Sequence, residues 1–349
     1  MSKETKRVIF ATNNSHARIS PIPNQYNNNL CHMQTKQFDI TPTISYEQGY
    51  AIRGIAMLTI IFAHAMNEYE FYSSTTSVIL LIPMFGTLGS SLFFFMSGYG
   101  IYCSLYKKKD NSNISNLLKH LKKIITPIII VYIINSIILP QTLSYNDITI
   151  SHRNAFTLSL PEGTDLWFIK IIIFNYITTF LLFKLSERTD LRLIYLTITQ
   201  VALVSILYMC KAPGYWYISN LCFVFGALHA IHPIFKRNYI ATSILLFAGY
   251  YICIINNIVS APIQIIGNIA FCIIMASIFN NTNKWPGWLQ FIGKNSLLYY
   301  LLGIPVMWLI PSNKMYPIFY FIANLVFTST TVITYKRFEK AATKKEKID

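Results

Sequence analysis

Apolar runs of membrane-crossing length recur from Tyr50 onward, and they limit the fold more than any other feature of the chain. A helix needs about 20 predominantly apolar residues to cross the hydrocarbon layer. Ten runs approach or exceed that length, at roughly 50–67, 86–106, 121–140, 165–184, 191–209, 214–231, 239–256, 262–280, 290–310 and 316–336. The expected fold is an all-α integral membrane protein of about ten transmembrane helices. Composition agrees. Charged residues are only 12% of the 349 and the mean hydropathy is +0.42, whereas soluble domains carry about 25% charged residues.

A net charge of +15 would suit a nucleic-acid partner, but its distribution argues against one. The basic residues collect in short connections between apolar runs, as cytoplasmic loops of membrane proteins do, and no nucleic-acid-binding motif accompanies them. With the N-terminus inside, the inner connections hold Lys107, Lys108, Lys109, Lys119, Lys122, Lys123, Lys184, Arg188, Arg192, Lys236, Arg237, Lys284 and Lys294. The outer ones hold only Arg153, Lys211 and Lys314. This asymmetry predicts cytoplasmic N- and C-termini and a multi-pass location in the cell membrane. Residues 1–48 are polar and Asn-rich and read as a disordered tail; 49–338 read as the membrane domain and 339–349 as a basic cytoplasmic tail. The segment from Arg7 to His16 is similar to the opening of the inosine-triphosphate pyrophosphatase family. It spans about ten residues, and no activity is inferred from it.

Two ionisable residues stand out within the first apolar run. Intramembrane charges are costly and are functional-site candidates by default. Arg53 and His64 lie eleven residues apart, which returns them to within about 20° of one helix face, about 16 Å apart along the axis. A cation near the helix start also sits at the unfavourable end of the helix dipole. The bland readings are an Arg53 that snorkels to the headgroups and a His64 that hydrogen-bonds a neighbouring helix. Their sharing one face, with no charge between, favours function. His229 and His232 have i, i+3 spacing at a helix end, without a further ligand. The six cysteines are scattered with no CxxC pair, so neither a metal site nor a disulfide framework is expected.

Arg53, ten intervening residues and His64 resemble the first-helix signature of the membrane acyltransferase-3 family, integral-membrane O-acyltransferases that modify sugars and related acceptors. Further similar stretches follow in the family's order: the run from Leu92 to Tyr99 (LFFFMSGY), the basic approach to the third helix from Lys119 to Pro127, Leu166 to Phe168 (LWF), and Ile292 to Leu302 (IGKNSLLYYLL). The resemblance covers residues 46–338. There are two departures. The family's Arg-x-x-Arg pair at the third helix is here Lys119, His120, Lys122 and Lys123, and lysine is a point charge rather than a bidentate fork. Gly303 stands where the family often has His.

The resemblance implies an enzyme that moves an acyl group, in the first instance acetyl, from cytoplasmic acetyl-CoA to a hydroxyl of a cell-surface or lipid-linked carbohydrate. Arg53 with Lys119, Lys122 and Lys123 would hold the CoA phosphates through charge-assisted hydrogen bonds. His64, with an ordinary imidazole pKa near 6.5, would take the proton from the acceptor hydroxyl; a covalent acyl-imidazole is the rival route. Glu68 could orient His64, and Asp165 and Trp167 could bind sugar through a carboxylate and a ring face. No metal is expected, and a homodimer is one open form of assembly. The alternative function is a polytopic transporter of a glycan or lipid-linked sugar, which would more often show two related halves with interrupted helices.

Overall fold

The computed structural model describes residues 43–67, 82–107, 114–142, 167–232, 237–258, 260–282, 284–309 and 317–345. Every regular element among them is helical. In chain order they are α1 (Tyr46–Asn67), α2 (Ile82–Lys107), α3 (Ile114–Thr142), α4 (Trp167–Leu185), α5 (Thr189–Met209), a 3-10 turn (Gly214–Trp216), α6 (Leu221–Ile231), α7 (Arg237–Ile255), α8 (Ala261–Asn280), α9 (Gly287–Lys294), α10 (Ser296–Leu309) and α11 (Pro317–Lys345). Among the described residues, six helices are long and apolar enough to cross a membrane: Tyr46–Met66, Met84–Tyr106, Trp167–Leu185, Thr189–Met209, Ala261–Asn280 and Ile318–Glu339. The tail 1–42 and the resemblance within it lie outside the described residues.

Two expected spans take a different form. The run 214–231 is not one helix but a 3-10 turn followed by α6, of 11 residues. Pro213 sets the chain in an extended-type conformation with φ −53 and ψ 139, and Gly214 opens the tight turn. The run 290–310 is divided at Asn295, between α9 and α10. There the Asn295 side-chain amide donates to the Phe291 carbonyl at 2.9 Å, a local bond of the kind that competes with the helical ladder.

Glycines set how closely the helices cross. A Cβ on Gly98 of α2 would lie 2.0 Å from the Phe223 carbonyl oxygen, and one on Gly226 of α6 would lie 1.9 Å from the Phe95 carbonyl oxygen. The two helices thus press backbone to backbone, each through its own glycine, as small residues allow between membrane helices. α1 and α9 repeat the device, with Gly54 against the Leu289 carbonyl and Gly293 against the Tyr50 carbonyl. Gly89 of α2 takes up Ala56, Thr59 and Ile60 of α1.

Polar pairs fix the rest. The Ser45 N–H donates to Gln48 Oε1 at 2.7 Å and the Gln48 N–H to Ser45 Oγ at 3.2 Å, a reciprocal cap of the α1 start. The same Gln48 then donates from Nε2 to the Phe279 carbonyl at 2.9 Å, tying α1 to the end of α8. Gln200 of α5 donates to Asn175 Oδ1 of α4 at 2.7 Å, both buried. Asn324 of α11 donates to the Gly303 carbonyl of α10 at 3.1 Å.

Candidate functional site

α1 runs through the middle of the bundle and carries both expected residues, each half-buried. Its stripe toward α2 is marked by contacts. Gly49 lies by Met96, Arg53 by Gly100, Ala56 and Ile60 by Gly89, and Ala63 by Gly86. Arg53 Nη2 comes to 3.6 Å of where a Gly100 Cβ would stand. His64 follows Ala63 at the opposite end of this stripe. Helical periodicity puts position 64 within about 20° of the Arg53 direction, on the turn that holds Ala63. Between them the seam is dry: Ala56 is 0% and Ile60 6% exposed, packed on Gly89. A molecule reaching from Arg53 to His64 must run beside the α1–α2 seam and not within it.

The Arg53 end of the bundle gathers cations. Ser104 Oγ meets His120 Nε2 at 3.5 Å, Tyr106 shares a hydrogen bond with Thr189 at 2.9 Å, and Arg192 lies over the Phe183 ring at 4.1 Å. These contacts bring the α3, α4 and α5 ends to the same level of α2. Lys119, Lys122 and Lys123 lie here on the exposed face of α3, which begins at Ile114, so the basic stretch is helical and not a loop. His120 turns the other way, edge-on to Tyr176 at 6.3 Å. Among the described residues no contact joins these lysines to Arg53. At this end too, His229 is buried between Phe95 and Tyr99, at ring distances of 5.6 and 5.7 Å, within 3.3 Å of Thr43 Oγ1, while His232 is exposed.

Trp167 packs among aromatic rings of three elements. It opens α4 beside Phe94, at 6.3 Å, in the middle of α2 between the levels of Arg53 and His64. Phe168 beside it meets Phe94 at 5.0 Å and Tyr300 of α10 at 5.8 Å. Trp167 also meets Tyr215 at 5.5 Å and Trp216 at 6.4 Å on the 3-10 turn. Toward the His64 end, a polar cluster surrounds the α6 start. Ser91 Oγ donates to Ser219 Oγ at 2.9 Å, and Asn268 Nδ2 to the Ile218 carbonyl at 3.3 Å. Asn220 is fully buried with neither amide atom hydrogen-bonded, and Asn268 Oδ1 is likewise without a partner. Buried polar atoms of this kind are costly unless a water or ligand meets them.

Glu68 and Asp165 lie outside the described residues. Other residues contribute beyond those that the sequence motifs single out. The Ser45–Gln48 cap was legible as an S-x-x-Q pattern before an apolar run. Asn220, Asn268, Tyr215 and Trp216 carry no such local signal, because only tertiary packing brings them together.

A family model described as an acyltransferase domain matches residues 51–335. No curated protein and no solved structure matches the chain.

Proposed function

Since the chain belongs to the acyltransferase-3 family of membrane O-acyltransferases, we propose that it moves acetyl from cytoplasmic acetyl-CoA to a hydroxyl of a surface or lipid-linked carbohydrate. The observation that carries this reading is the Arg53–His64 stripe on α1. It sets a cation and an imidazole at two depths of one multi-pass bundle, as a donor arriving from one side and an acceptor from the other require. The end rich in basic residues is the cytoplasmic one by the positive-inside rule, with ten helical passes and both termini inside. The membrane is the cell membrane.

In the proposed reaction the acceptor oxygen attacks the thioester carbonyl while His64 takes its proton. The C–S bond then breaks, the sulfur leaves with the electron pair as CoA thiolate, and the proton passes from the imidazolium to it. The products are an O-acetyl ester and CoA thiol. Arg53 holds the anionic donor through charge-assisted hydrogen bonds. Lys119, Lys122 and Lys123, exposed at the same end, meet its phosphates at the membrane surface. Glu68 orients His64, and Asp165 and Trp167 contact the acceptor.

Membranes that contain the protein are expected to transfer radiolabelled acetyl from CoA to glycan, and surface polysaccharide to lose acetyl mass when the gene is removed. Unchanged polysaccharide mass would reject the reading. For Arg53→Ala we expect the KM for acetyl-CoA to rise about tenfold to a hundredfold, as for a lost hydrogen bond to a charged group, with Arg53→Lys intermediate. A KM equal to wild type in Arg53→Ala would remove Arg53 from donor binding.

A further inference from the structure

We propose that Arg192, in the first turn of α5, holds the phosphate of an anionic phospholipid on the side of α2 turned away from Arg53. The inference does not depend on the acyl-transfer reading.

Arg192 is fixed in place by its own neighbours. Its Nε donates to the Ser186 carbonyl at 2.6 Å, and its guanidinium lies 4.1 Å from the Phe183 ring centroid. Phe183 is in turn edge-on to Tyr102 at 5.0 Å and to Tyr106 at 6.5 Å. The Tyr106 hydroxyl shares a hydrogen bond with Thr189, at 2.9 Å. An arginine that only snorkels keeps its freedom among the headgroups, whereas this one is stacked and bonded with its Nη edge left over. Among the described residues neither Nη atom has a hydrogen-bond or ion-pair partner. Asp190, in the same turn, accepts from Arg188 instead, at 2.8 Å, and both are exposed.

Two further groups beside it ask for a ligand. Tyr102 is 1% exposed, its hydroxyl makes no hydrogen bond, and it lies within electrostatic reach of Arg192. A buried hydroxyl in that state is costly until a water or ligand oxygen meets it. The start of α5 also lacks a side-chain cap from Arg188, and unfilled N–H groups at a helix start favour an anion. The paired donors of a guanidinium match two oxygens of a phosphate.

The place of the site identifies the source of that phosphate. α5 is the least covered of the six spanning helices, with 11% of its apolar stretch buried against 56% for α1. Ile194, Ile198 and Val201 are exposed in the turns that follow Arg192, so acyl chains have an apolar wall beside a headgroup held there. Basic sites between helix ends take anionic headgroups in this way. A donor held by Arg53 lies elsewhere, because Arg53 reaches α2 at Gly100. Tyr102 points about 160° away from Gly100 around the same helix.

The test uses the full chain in detergent micelles, with bound molecules counted by native mass spectrometry. The probes are dioleoylphosphatidylglycerol, its phosphatidylcholine counterpart, inorganic phosphate and CoA. Wild type is expected to retain phosphatidylglycerol in preference to phosphatidylcholine. Arg192→Ala should bind phosphatidylglycerol about tenfold more weakly, as for a lost hydrogen bond to a charged group. Arg192→Lys should fall between, and Arg337→Ala, which removes an exposed charge from α11, should bind as wild type does. Equal affinity in Arg192→Ala and Arg337→Ala would overturn the site. So would a wild type without preference between the two lipids, a result that requires no variant to fold. Displacement of the lipid by inorganic phosphate or CoA would assign Arg192 to a free phosphate and overturn the lipid.

Discussion

His64→Ala is expected to lower acetyl transfer by about 10²- to 10⁴-fold, the usual contribution of a positioned general base, while the protein stays folded. The side chain lies in the last turn of α1. The packing of that turn is carried by its neighbours. Ala63 and Ala65 are 3% and 0% exposed, and Phe62 lies edge-on to Phe85 and Phe321 at 5.6 Å each. Truncating the imidazole therefore costs chemistry more than stability. Radiolabelled transfer gives the rate, and gel filtration in detergent reports the fold. His64→Gln keeps much of the shape and hydrogen-bonding capacity without the base, so it should be as inactive as alanine. Full transfer by either variant would exclude His64 as the base.

Gly226→Ala should destabilise the fold instead. The new Cβ would lie 1.9 Å from the Phe95 carbonyl oxygen and 2.9 Å from the Tyr99 nitrogen, both backbone atoms. No rotamer relieves such a clash, so α2 and α6 must part by about 1.5 Å to reach ordinary contact distances. Overpacking of this kind costs about 1–3 kcal/mol or more, and Gly98→Ala, facing Phe223 from the other helix, should behave alike. Gly249→Ala and Gly287→Ala are the controls, for nothing lies within 4 Å of the added carbon at either. Yield and thermal stability in detergent should fall for the first pair and hold for the second. Equal behaviour of all four would mean that the α2–α6 crossing is looser than described.

Much of this architecture can be read from hydropathy, because each spanning helix announces itself through length and apolar content. The Arg53–His64 relation is legible for the same kind of reason: helical periodicity alone puts residues eleven apart on one face. Hydropathy is blind to where the hydrogen-bond ladder stops. The run 214–231 is mostly apolar, yet Pro213 and Gly214 shorten its helix, and Asn295 divides the likewise mostly apolar run 290–310. Partner choice is hidden too. Nothing local distinguishes Gly226, pressed on a carbonyl, from Gly249, which faces open space. Trp167 shows a third limit. Its neighbours Phe94, Tyr215 and Trp216 come from elements remote in sequence, which no local pattern announces. The lysines of α3 were legible as cations, whereas their exposed orientation depends on the face α3 turns to its neighbours.

The brevity of α6 bears on what must surround its ends. Its 11 residues rise only about 16 Å, against a hydrocarbon layer of about 30 Å. Irregular backbone at membrane depth survives only when walled by protein or wetted. α6 meets the first condition, since eight of its 11 residues are buried against the neighbouring helices.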